Sequence, residues 1–275
     1  MGIADRDYYR SSLPRAGFGH FNAWSVTTWL IVVNVAVFFL GAILKRAAAP
    51  SMQPDGFGGY EAASLYDLMG PLQRWGYFST VEAVKHVQVW RFLTFQFLHA
   101  SPMHLIGNMI GMYFFGPIVE AHFGSRRYLA FYLLCGLAGA AMYMLLAAAH
   151  VLVTGPDVPL IGASAGIFGL LVGAAMIAPD VQVFYYFVPF TVRTLAILGV
   201  ALAAYTVITY GGSSGMNAGG EAAHLGGGIL GFTIMKNQHW LHVFEPPRRR
   251  MTPAGTARRR AMRAGQKDWS KDMNR

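Results

Sequence analysis

His104 and Asn108 stand four residues apart, Ser164 lies in Gly162-Ala163-Ser164-Ala165-Gly166, and His224 lies in Ala223-His224-Leu225-Gly226-Gly227. A hydroxyl beside an imidazole can pass its proton to the ring, and histidine alone titrates near neutral pH, so Ser164 and His224 could act as nucleophile and base. Each residue also has a plainer reading. A serine in an apolar helix commonly bonds the carbonyl four residues back, a histidine often joins two helices, and small residues pack. Their joint occurrence in charge-free sequence strengthens the case for chemistry and leaves both readings open, because polar groups in hydrocarbon are costly and cluster for a reason. Gly162-x-Ser164-x-Gly166 also spells the nucleophile elbow of soluble hydrolases. That elbow needs a strand before it and a carboxylate after it, whereas a helix surrounds this one and the charge-free windows hold no carboxylate.

The elements that must position these groups follow from composition. Of 275 residues, 54% are hydrophobic and only 13% charged, about half the charge of a soluble domain, and mean hydropathy is +0.37. Cys135 is the only cysteine, which excludes a disulfide scaffold. The composition is that of an all-α integral membrane protein. Charge-poor windows predict six helices at about 24–44, 103–121, 128–149, 161–178, 193–210 and 218–237, each near the ~20 residues that cross a bilayer. The first should remain attached, since it lacks a convincing signal-peptide cleavage site.

Orientation follows from counting Lys and Arg on each side. With the N-terminus inside, the inner segments carry 17 and the outer ones 5, Lys45, Arg46, Arg74, Lys85 and Arg91, which favours cytoplasmic termini. The second, fourth and sixth helices then all begin at the outer face. His104, Asn108, Ser164 and His224 fall within their first two turns, at one depth, within ~10 Å of the boundary. Three regions result: a cytoplasmic segment 1–23, a membrane domain 24–240 with a long outer loop 45–102, and a basic cytoplasmic tail 241–275. Aromatics in the loop suit the membrane interface. From Lys236 onward there are 11 basic and 3 acidic residues. With no aromatic platform among them, this reads as a solvated tail near anionic lipid, and no nucleic-acid partner is expected.

The pattern resembles the rhomboid family of intramembrane serine proteases over about residues 85–235. His99-x4-His104-x3-Asn108 is similar to its second-helix motif, Gly162-Ala163-Ser164 to its nucleophile motif and Gly219-x3-Ala223-His224-x2-Gly227 to its sixth-helix motif. Trp90-Arg91 resembles the Trp-Arg pair of its first outer loop. The resemblance implies a six-transmembrane-helix rhomboid-like bundle in which Ser164 is the nucleophile and His224 the general base and acid. His104, Asn108 and the Ser164 amide would form the oxyanion hole. Phe168 would stack on the histidine, and Gly162, His99 and Gly227 would support the site. The departure is Ala165, where the family most often has glycine after the serine; its methyl bears on pocket width and on the position of the serine amide.

The resemblance further implies single-span membrane-protein substrates within the lipid bilayer, and the six-helix layout suits a bacterial inner membrane with the site facing outward. No cofactor and no metal are expected, since the remaining histidines show no ligand spacing. The alternative is a catalytically inactive rhomboid-like protein that binds membrane helices. A channel or transporter would call for intramembrane carboxylates or inverted halves, and neither is visible. Glu221, three residues before His224, could approach its face, but the helix end suits a water-exposed carboxylate there. Its replacement by Gln should then change activity by less than tenfold.

Overall fold

The computed structural model describes residues 24–47, 52–54, 60–62, 69–153, 158–185, 188–212 and 217–245. The expected segment 1–23 and all but the first residues of the tail lie outside them. The chain divides into two units, Met1–Val243 and Phe244–Arg275, and the site lies in the first.

Helix α1 (Val26–Ala47) is followed by a hairpin of β1 (Met52–Pro54) and β2 (Tyr60–Ala62), with Met52 opposite Ala62. Short helical pieces come next: α2 (Pro71–Gly76), a π-helical turn (Val81–Lys85), α3 (Arg91–Thr94) and a 3-10 turn (Phe95–Phe97). Long helices α4 (Pro102–Phe123) and α5 (Ser125–Ala148) precede α6 (Ser164–Ile177). A hairpin of β3 (Gln182–Tyr185) and β4 (Val188–Thr191) leads to α7 (Val192–Tyr210) and α8 (Ala218–Lys236). Among the described residues, six helices of 14 residues or more thus cover the six charge-poor segments. Three of them, over Val26–Lys45, Ser125–Ala148 and Val192–Tyr210, are long and apolar enough to cross a membrane.

The fourth expected helix is shorter than predicted, 14 residues beginning at Ser164 rather than at 161. The reason is tertiary. Leu160 pairs with Phe78 through two backbone hydrogen bonds of 2.7 and 3.0 Å, and the Gly162 N–H donates to the Phe95 carbonyl. These bonds hold 160–162 extended against the loop. Gly162 then turns the chain with φ +136°, a conformation open chiefly to glycine.

Helix α6 is buried nearly all round, as a helix apolar on every face should be. Where helices meet inside a bilayer there is no hydrophobic gain to separate from lipid, so close van der Waals contact must hold them. Glycines permit it here: a Cβ on Gly231 of α8 would lie 2.8 Å from the Gly169 Cα of α6. The outward faces of α1 and α7 remain apolar, with Phe39, Ile43, Leu202 and Ile208 exposed, as lipid-facing surfaces are.

Two polar devices close the bundle. The Glu120 carboxylate of α4 accepts the backbone N–H groups of Val26 and Thr27, at 2.8 and 2.9 Å, and the hydroxyls of Thr27 and Ser125. It therefore caps the first turn of α1, where a helix leaves its N–H groups unsatisfied. In the loop, buried Arg91 donates to the carbonyls of Tyr77 and Arg74 and to Gln88 Oε1, at 2.7 to 2.9 Å. Trp90 stacks on Trp75, with ring centroids 5.8 Å apart. The Trp-Arg pair thus ties residues 74–77 to residues 88–91 in the loop that reaches Leu160.

Candidate active site

The first two turns of α4 and α8 and the start of α6 line one cavity of about 470 Å³, whose walls include His104, Asn108, Ser164, Asn217, Gly220 and His224. Three helix N-termini opening on one space give it positive backbone potential, suited to a developing oxyanion.

On α4, Ser101 caps the helix by accepting the His104 N–H, and Pro102 fills the first position, where no amide partner is needed. The Ala100 N–H donates to His104 Nδ1 at 3.4 Å. Nδ1 is then the acceptor of the neutral ring, and Nε2 carries the proton. Nε2 lies only 2.9 Å from where a Cβ on Gly162 would stand, and Ser164 Oγ lies 3.5 Å from the same point. A donor and the hydroxyl thus converge over a residue that must lack a side chain. Asn108 Nδ2 spends one hydrogen on the His104 carbonyl, at 2.9 Å, and keeps a second.

His99 is buried to 1% exposure, with its ring edge-on to His104 and 5.1 Å from it. Neither of its nitrogens has a hydrogen-bond partner. Burial, and then the neighbouring His104, push its pKa down to about 4. It acts as a neutral wedge behind His104.

On α8, the Phe168 ring of α6 lies flat against His224, with centroids 4.3 Å apart and planes 7° from parallel. Gly227 stands where any Cβ would collide with the Ala165 carbonyl, which keeps the two backbones together. His224 Nδ1 lies 2.8 Å from Glu221 Oε2. This corrects the expectation of a water-exposed carboxylate, because the Glu221 side chain is only 23% exposed. His224 makes its hydrogen bond to Glu221, and none joins its ring to Ser164 Oγ in this conformation; such contacts commonly tighten only with substrate bound.

Sequence reasoning missed Asn217, whose Oδ1 accepts the Gly220 N–H at 3.1 Å and caps α8 while lining the cavity. An asparagine directly before a predicted helix start was the available signal.

An apolar helical bundle with a hydroxyl, two imidazoles and two carboxamides converging on one cavity defines a multi-pass membrane protein with a polar site among its helices. Residues 86–237, more than half of the chain, match the family model of the Rhomboid domain, and the chain belongs to the rhomboid family. It is 28% identical to RHOMBOID-like protein 4 of Arabidopsis thaliana over 84% of this chain and 59% of that one. It is 24% identical to Rhomboid-like protease 3 of Toxoplasma gondii, over 54% and 46%. To Inactive RHOMBOID-like protein 8 of Arabidopsis thaliana it is 28% identical, over 41% and 31%. The chain spans about half the length of the relatives it matches. These plant and protozoan relatives lend no support to the bacterial inner membrane expected from the helix layout.

Proposed function

We propose that this protein is an intramembrane serine endopeptidase working through Ser164 and His224. The observation that carries the reading is the cavity that gathers Ser164, His104, Asn108 and His224 from the first two turns of three helices. All six long helices would cross the membrane with both termini in the cytoplasm, and residues 24–240 would form the membrane domain. The 14-residue α6, ~21 Å long, is shorter than a ~30 Å hydrocarbon core, which suits a nucleophile recessed below the outer boundary.

In this mechanism His224 Nε2 takes the Ser164 proton as Oγ attacks the scissile carbonyl carbon. Negative charge gathers on the carbonyl oxygen, opposite His104 Nε2–H, the free Asn108 N–H and the Ser164 amide. The C–N bond then breaks as the imidazolium gives its proton to the leaving amine. Water, deprotonated by the same ring, hydrolyses the acyl-serine. The substrate would be a single-span membrane protein unwound near the outer face, since a peptide still in helix hides its carbonyls. Small residues fit the cut site, because Ala100, Gly107 and Gly220 line the cavity.

A second reading, a rhomboid-like protein that binds membrane helices without cutting them, draws on the similarity to a relative named inactive. Ser164 and His224 on the walls of one cavity weigh against it, because binding has no need of them. Cleavage of a model single-span protein in liposomes decides between the two. Wild type should cut while Ser164→Ala and His224→Ala, equally folded, should not. Cleavage surviving Ser164→Ala would overturn the mechanism, and wild-type binding without cleavage would favour the second reading.

A further inference from the structure

A two-residue serine–histidine device has no use for the contact between Glu221 and His224, yet that contact is closely built. Oε2 lies 2.8 Å from Nδ1, within the range of a charge-assisted hydrogen bond. Both side chains are largely withdrawn from solvent, 23% and 16% exposed, so the pair is screened less than a surface one. The i, i+3 spacing on α8 brings the two groups together. Asn217 fixes the turn that carries Glu221 by capping the helix at Gly220. Phe168 sets the plane of the imidazole, and Glu221 sets its rotation within that plane.

A carboxylate in the first turn also favours the helix dipole, and that alone accounts for an acid here. It does not account for an oxygen aimed at Nδ1. Resting on the reading of His224 as the base, we infer that Glu221 is a positioning residue and that Ser164, His224 and Glu221 form a triad. The carboxylate accepts the Nδ1–H, which leaves the lone pair on Nε2 for the Ser164 proton. It then stabilises the imidazolium produced by that transfer. Glu221 takes up no proton at any step and keeps its charge throughout. His104, the other imidazole facing this one across the cavity, stays neutral as an Nε2–H donor.

The test uses the full chain in liposomes with Glu221→Gln and Glu221→Asp, reading kcat, KM and thermal stability. Nitrogen-15 spectra of labelled histidine, with the His224 signals assigned through His224→Ala, read the tautomer. Glu221→Gln should lower kcat by about tenfold or more, because its amide can donate to Nδ1 and favour the wrong tautomer, while KM moves by less than about threefold. Glu221→Asp should recover part of kcat. The spectra should show Nδ1 protonated in wild type and a shift toward Nε2 protonation in Glu221→Gln. Wild-type kcat with an unchanged tautomer in Glu221→Gln would overturn the inference, as would equal losses in both variants that track lost stability. If no substrate is cut at all, the protease reading fails separately, and the tautomer still decides whether Glu221 orients His224.

Discussion

Ala165 packs its methyl against Gly139 of α5, so closely that a Cβ on Gly139 would fall 2.5 Å from it. Ala165 is 2% exposed and does not line the cavity. The residue by which this chain departs from the common nucleophile pattern is therefore housed by a glycine on a neighbouring helix, and the methyl does not narrow the pocket. Ala165→Gly should leave turnover within about threefold of wild type, at a stability cost of about 1 kcal/mol for the lost methyl contacts. Gly139→Ala should do more harm, by pushing α5 away from α6. Measuring turnover and melting for both variants checks the pair, and a large gain in rate from Ala165→Gly would contradict it.

Asn108 keeps one amide hydrogen free while the other holds the His104 carbonyl. If that free donor serves the oxyanion, Asn108→Ala should lower kcat by about 10²–10³ with little change in KM. A rise in KM at constant kcat would place Asn108 in substrate binding instead.

Phe168 is parallel to the His224 ring within 7°. Phe168→Leu retains bulk but loses the flat face, so kcat should fall by about tenfold while the melting temperature hardly moves. Phe168→Tyr should retain most of the activity. Equal activity in all three forms would show that the stacking is only packing.

Glu120 receives four hydrogen bonds, two of them from the N-terminal amides of α1. Glu120→Ala strands those donors and should destabilise the protein by about 2–4 kcal/mol. Hydrogen exchange should rise first at Val26 and Thr27. Uniform exchange over the whole chain would argue that the cap is not local.

His99 supplies a pH dependence of stability. Its folded pKa of about 4 lies below the ordinary 6.5, through burial and then the nearby His104. As pH falls below 6.5 the unfolded chain takes the proton first, so stability is full above that value and declines as pH drops toward 4, by up to about 3 kcal/mol. Melting followed from pH 7.5 to 4.5 should show this loss, and His99→Gln should shrink it.

The site was legible to the extent that it depends on spacing within single helices. His104 and Asn108 share a face because they are four apart, and charge-poor windows set helix ends within three residues of those observed. Features made by pairing across the chain were not legible. The start of α6 at Ser164 depends on Phe78 meeting Leu160, and the cap on α1 depends on Glu120, 94 residues beyond Val26. Glu221 was misplaced for a subtler reason. Its position at a helix end was read correctly, but whether the side chain faces water or turns onto His224 is a rotamer choice that spacing alone does not fix.

The claim that everything else rests on is that His224 activates Ser164. The most direct measurement is mass-spectrometric mapping of a fluorophosphonate probe on the protein in liposomes. The account predicts an adduct on the peptide containing Ser164 in wild type, slower labelling in Glu221→Gln and none in His224→Ala. Cleavage of substrate by a protein whose Ser164 stays unlabelled, or labelling undiminished in His224→Ala, would contradict it.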